Sequence, residues 1–149
     1  MVKAVTVTDV GSESAPGTRA LKLLAVARER LDDVVRLQDD WNSYGAARPN
    51  LQAISVGHDL LTTLWRRLAD GVSEEGVPWM IAPLADGGVQ LEWRGQNGAI
   101  EVEIAPNGQL NFLVEQGERT IRRSDPNSGA PADQVLDQII GVIAGEAIS

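Results

Sequence analysis

The chain is written in two periods. From Thr18 to about Gln38, Leu21, Leu24, Ala27, Leu31, Val34 and Val35 recur at spacings of three and four. That spacing predicts a helix with one apolar face, and Thr18 can cap its start. The stretch Asp39-Asp40-Trp41-Asn42-Ser43-Tyr44-Gly45-Ala46 ends it. Gly45 offers a positive φ and Asn42 tolerates one. Pro49 and Asn50 then open a second helix, from about Leu51 to Ala69, with Ile54, Leu61, Leu64, Trp65 and Leu68 on its stripe. A connection of about ten residues makes an antiparallel helical hairpin the natural packing.

Beyond the polar stretch Gly71–Gly76 the period falls to two. Trp79, Ile81 and Pro83 alternate, as do Val89, Leu91 and Trp93, then Ile100, Val102 and Ile104, then Leu110, Phe112 and Val114. Asp86-Gly87-Gly88, Asn97-Gly98 and Pro106-Asn107-Gly108 separate them, and each is a hairpin signal. A short last strand near Thr120–Arg122 follows the Gln116-Gly117 turn. The expected sheet is an antiparallel meander of four or five strands.

Turn chemistry also predicts register. A two-residue Asn97-Gly98 turn sets Trp93 opposite Val102, Leu91 opposite Ile104, Arg94 opposite Glu101 and Glu92 opposite Glu103. In the next hairpin a two-residue turn would send Phe112 to the polar face. A three-residue loop, Pro106-Asn107-Gly108, instead pairs Ile104 with Leu110, Val102 with Phe112 and Ile100 with Val114. The apolar pattern selects the three-residue loop, because a one-residue slip moves every side chain to the other face.

After the loop Ser124–Ala130, Pro131 suits the first turn of a final helix. Val135, Leu136, Ile139, Ile140, Ile143 and Ala144 give that helix a wide apolar stripe. The fold class is therefore α+β: an N-terminal helical hairpin, an antiparallel meander, and a C-terminal helix packed on the sheet. Residues 1–16 read as an arm, either an edge strand or a tail, ahead of a single domain over 17–149.

Composition narrows the chemistry. The 149 residues contain no cysteine and one histidine, His58. That excludes disulfides, thiolate metal sites and cysteine nucleophiles, along with zinc sites built on several histidines. The formal net charge of −8 opposes binding to nucleic-acid backbones and anionic membranes. No apolar run approaches the ~20 residues of a membrane span. No secretory signal is seen at Met1–Thr6, so a cytoplasmic protein is expected. There is no phosphate loop or dinucleotide fingerprint, and no cofactor is expected.

Three groups of residues are candidates for binding a ligand or partner. Trp41, Asn42 and Tyr44 can stack on a ring, or they staple the hairpin to the sheet. Glu92, Arg94, Glu101 and Glu103 share the polar face of the sheet, where a carboxylate pair can share a proton, bind a hard cation, or simply stay solvated. Arg119, Arg122 and Arg123 can grip an anion or pair with the chain's own acids. The four tryptophans are most simply core, and His58 flanks an apolar stripe.

Trp41, Asn42, Tyr44, Gly45 and Ala46, followed by Val89, Leu91, Glu92 and Trp93, resemble a shared pattern of small bacterial proteins without an assigned activity. That pattern is roughly Trp-Asp/Asn-x-Tyr-Gly-Ala, then Gly-x-Leu-Glu-Trp, and the resemblance covers about residues 30 to 115. It implies a bacterial or phage origin and transfers no catalytic residue. The expectation is a non-enzymatic interaction protein: an antitoxin-like, immunity or accessory subunit, as in antiphage defence, that binds a protein partner or forms a homodimer. The alternatives are a small-ligand binder or enzyme joining the Trp41–Tyr44 loop to the sheet carboxylates, and an acidic nucleic-acid mimic. A cleft joining loop and carboxylates would favour the enzyme; an apolar patch or a free strand edge would favour docking.

Overall fold

The computed structural model describes residues 16–68 and 74–146. Residues 1–15 of the expected N-terminal arm and the first half of the polar stretch after the second helix lie outside them. Helix α1 (Pro16–Val35) leads into α2 (Leu51–Leu68). A single 3-10 turn (Glu74–Gly76) precedes five strands: β1 (Met80–Pro83), β2 (Val89–Arg94), β3 (Ala99–Ile104), β4 (Leu110–Gln116) and β5 (Arg119–Arg123). Helix α3 (Ala132–Ile143) follows. The strands pair in chain order, β1-β2-β3-β4-β5, all antiparallel. This is the expected α+β architecture.

Local chemistry accounts for the boundaries. α1 starts at Pro16, two residues before Thr18. Proline lacks the N–H that a first helical residue would leave unbonded. α2 is capped as expected: Asn50 Oδ1 accepts from the Gln52 N–H at 2.8 Å, and the Asn50 carbonyl accepts from Ile54 N–H at 3.2 Å. The β3–β4 loop also has the expected length. Gly108 sits at φ +90°, and Asn107 Oδ1 accepts from the Gln109 N–H. Ile104 pairs with Leu110, Val102 with Phe112 and Ile100 with Val114.

The β2–β3 register differs from the expectation. Trp93 pairs with Ile100, Leu91 with Val102, Glu92 with Glu101 and Arg94 with Ala99. The turn is centred on Gln96-Asn97, closed by Gly95 N–H donating to the Gly98 carbonyl at 2.8 Å. Asn97 is drawn inward because its amide donates to the Gly145 carbonyl at 2.5 Å, past the end of α3. A tertiary contact thus outweighs the preference of Asn-Gly for the two turn positions. The slip is two residues, so every side chain keeps its face.

All three helices lie on one side of the sheet. Val89, Leu91, Trp93, Ile100, Val102, Ile104 and Val114 are fully buried beneath them, against Leu31, Leu61, Leu64, Val135 and Ile139. Trp93 donates its indole N–H to the Gly76 carbonyl at 3.0 Å, a buried polar group satisfied. Arg67 of α2 reaches both Asp133 (2.9 Å) and Asp137 (2.7 Å), one turn apart on α3. The opposite face of the sheet has no helix over it among the described residues. Of the tryptophans, Trp65 and Trp93 are core, but Trp79 is 54% exposed.

Candidate functional site

The expected site residues do not come together, and three places on the molecule bear on function. At one end of the sheet lies the loop between α1 and α2. Its backbone is closed by Asp40 N–H to the Ala46 carbonyl (2.7 Å) and Ser43 N–H to the Asp40 carbonyl (3.0 Å). Asn42 Oδ1 accepts from Tyr44 and Ala46, and Asp40 Oδ1 accepts from Gly45. Trp41 is half-buried and donates its indole N–H to the Ala47 carbonyl at 2.9 Å. It therefore staples the loop, whereas Tyr44 is 91% exposed and staples nothing. The loop packs on the β1–β2 turn through Ala47 N–H to Ala85 O and Asn50 N–H to Gly87 O, both 2.8 Å.

The second place is the open face of the sheet. Glu92 and Glu101 stand directly opposite one another, and Glu103 is set against Gln90 and Asn111. Glu92 is not a solvated side chain: only 13% of it is exposed, and it accepts from Arg94 Nε at 3.0 Å. The Glu101 carboxyl is pushed above the usual range for glutamate. Burial is the main cause, followed by a hydrogen bond with Glu115 and then the charges of Glu115, Glu92 and Glu103. A hollow of about 270 Å³ opens beside it, lined by Glu101, Glu103, Asn111, Leu113, Arg123 and Ser124. Ser124 is buried, donates to Asn111 Oδ1 and accepts from the Phe112 N–H. No group of three or more acidic or histidine side chains among the described residues is placed to hold a metal ion.

The three arginines of β5 do not converge. The register shifts between Val114 and Glu115 of β4, which makes Ile121 the extra residue on β5. Arg123 sits opposite Leu113 on the open face, while Arg122 donates to Gln138 Oε1 of α3 at 3.0 Å. Arg119 pairs with Gln116 beside the turn. Charged side chains along an edge strand discourage pairing with another sheet, which accounts for this composition without a ligand. His58, the lone histidine, lies 2.7 Å from Asp32 across the helical hairpin.

The third place was not expected. Leu23, Val26 and Arg30 of α1 and Val77, Pro78, Trp79 and Arg94 line a groove of about 480 Å³, mostly apolar, where α1 passes the start of β1. Trp79 is fixed there from several sides. Its backbone N–H donates to the Glu92 backbone carbonyl at 2.7 Å, and its own backbone carbonyl accepts from Arg30 at 3.2 Å. The Arg94 guanidinium lies 3.3 Å from the centre of its ring, and Glu92 holds that arginine in turn. Arg30 also donates to the Pro78 carbonyl at 2.8 Å. Leu23 also packs against the core, whereas Val26 of α1 is 48% exposed.

The Trp41–Tyr44 loop lines neither the groove nor the hollow. The strands run between them, with the loop at the β1–β2 turn and the groove at the other end of those strands. Comparison with protein-family models, curated proteins and solved structures finds no match to this chain. No helix among the described residues is long and apolar enough to cross a membrane.

Proposed function

We propose that this chain is a non-enzymatic protein-interaction module, of the accessory, antitoxin-like or immunity type, that docks a partner protein in the groove around Trp79. The observation that supports this reading is the construction of that groove. A tryptophan that is 54% exposed has its main chain tied by Arg30 and Glu92 and its ring covered by Arg94, beside apolar walls from Leu23, Val26 and Val77. Tryptophan and arginine dominate the energetics of protein interfaces, above all when they are fixed before binding. The enzyme reading asked for a cleft joining the Trp41–Tyr44 loop to the carboxylates, and those residues line different regions. Acidic mimicry of nucleic acid remains the second reading, favoured by the four glutamates Glu92, Glu101, Glu103 and Glu115 on one sheet face.

The test is co-purification from the native host, with the chain expressed alongside its genomic neighbours. Wild type is expected to bring down one stoichiometric protein. Trp79→Ala and Val26→Glu are expected to lose it while melting like wild type. Retention of that partner by both variants would sink the groove as the docking site. Elution of the wild-type chain alone, with no companion, would sink the interaction reading itself.

A further inference from the structure

The loop Asp39–Ala46 holds more order than a connection between two helices requires. Two of its residues other than glycine, Asp40 (φ +62°) and Ser43 (φ +65°), occupy the left-handed region. Side chains rarely accept that conformation, and it persists only where the surroundings over-determine it. Here they do. Asp40 uses its N–H, its carbonyl and its carboxylate within the loop, and Asn42 Oδ1 accepts from two backbone N–H groups. Trp41 is tied to Ala47, and Asp39 Oδ1 accepts from the Arg48 N–H at 3.0 Å. Tyr44 stands at the apex with 91% of its surface in solvent, and no hydrogen bond to its hydroxyl occurs among the described residues.

We infer that this loop is a second docking element, in which Tyr44 is a pre-positioned knob that enters an apolar pocket with a basic rim on a partner protein. Tyrosine is among the commonest interface anchors, and fixing it beforehand lowers the entropy lost on binding. The surroundings select the partner. Asp39, Asp40 and the nearby Asp86 are exposed; of the exposed cations close in sequence, Arg36 is paired with Asp33, which leaves Arg48. Three carboxylates to one guanidinium repel nucleic-acid phosphates and a second copy of this acidic chain, and attract a basic rim. The Tyr44 knob and the Trp79 groove lie at opposite ends of β1 and β2, so either can be correct without the other.

The probe is a photo-reactive benzophenone amino acid placed at position 44, at position 79, or in the exposed β4–β5 turn at position 118. Each version of the full chain is expressed in the native host and irradiated. A single discrete protein adduct is expected at 44 and none at 118. The protein identified from that adduct is expected to bind Tyr44→Ala about tenfold more weakly or worse than wild type, with the melting temperature unchanged. A nucleic-acid adduct, an adduct of twice the chain's mass, or equal labelling at 44 and 118 would overturn the proposal. An adduct at 79 with none at 44 would overturn it and leave the groove reading standing. The reverse pattern would support the knob and remove the groove.

Discussion

Trp93 and Trp79 end up in opposite surroundings. Trp93 is sealed under the helices with its indole N–H bonded to Gly76, so Trp93→Ala is expected to cost about 3–5 kcal/mol in a denaturant melt. Trp79 is held at the rim, and Trp79→Ala is expected to stay within about 1 kcal/mol of wild type by the same measurement. The sequence does not separate the two, because Trp79 continues the alternation that Ile81 and Pro83 carry. It stands just before β1, where Arg30 binds the Pro78 and Trp79 carbonyls and Arg94 covers its ring. Glu101 is a second case. Sequence places it on the polar face, where a solvated carboxylate is the ordinary reading. Its neighbours Glu92 and Glu115 are visible only once register is known. Because its pKa is raised on folding, the native state binds that proton more tightly than the unfolded chain does. The stability that Glu101 contributes is therefore fullest below its unfolded value, near 4.5, and is lost as pH climbs through the folded pKa. Glu101→Gln is expected to raise the melting temperature at pH 7 and to flatten its decline above the unfolded pKa. An unchanged pH profile would show that Glu101 is not the source.

Among the elements, the hairpins show where short-range chemistry decides and where it does not. Pro106-Asn107-Gly108 gave its loop length correctly, and Val56 and Gln52 of α2 lie against Gly108 without changing it. Asn97-Gly98 misled by two residues because α3 ends beside it. The backbone of Gly95 lies so close to the Val142 carbonyl that a methyl group would fall 1.8 Å from that oxygen. Gly95→Ala is accordingly expected to destabilise by about 1–3 kcal/mol, with the β2–β3 hairpin and the end of α3 losing hydrogen-exchange protection together. The Arg67 clamp joins α2 to the same helix by two carboxylates, but at a partly exposed position. Its removal is expected to cost about 0.5–1 kcal/mol and to matter less as salt is added.

For the whole molecule, the fold class was readable because three signals agreed: helical period, strand period and turn residues. The groove was not, since it is formed by residues of α1, of the segment before β1 and of the end of β2 that meet only in three dimensions. Charge acts at this scale as well. A net −8, with four glutamates gathered on the open sheet face, repels itself in the compact state. Melting temperature is expected to rise between about 20 mM and about 200 mM sodium chloride as screening shortens the reach of that repulsion. A flat response would mean that the arginines at the sheet's ends already neutralise the face.

Strand order equal to chain order has a kinetic meaning. Each strand meets its neighbour across a short turn, so the meander assembles from local hairpins without closing a long loop. α3 is different, because it follows β5 yet packs back over β2, β3 and β4. Its docking is expected after the barrier, once the hairpins have registered. Trimming Ile139→Val should then speed unfolding and leave the folding rate nearly unchanged, while Val102→Ala should slow folding. Until that helix docks, part of the apolar face of β2–β4 faces water. A nascent or heat-jumped chain is most prone to sticking to its neighbours during that interval.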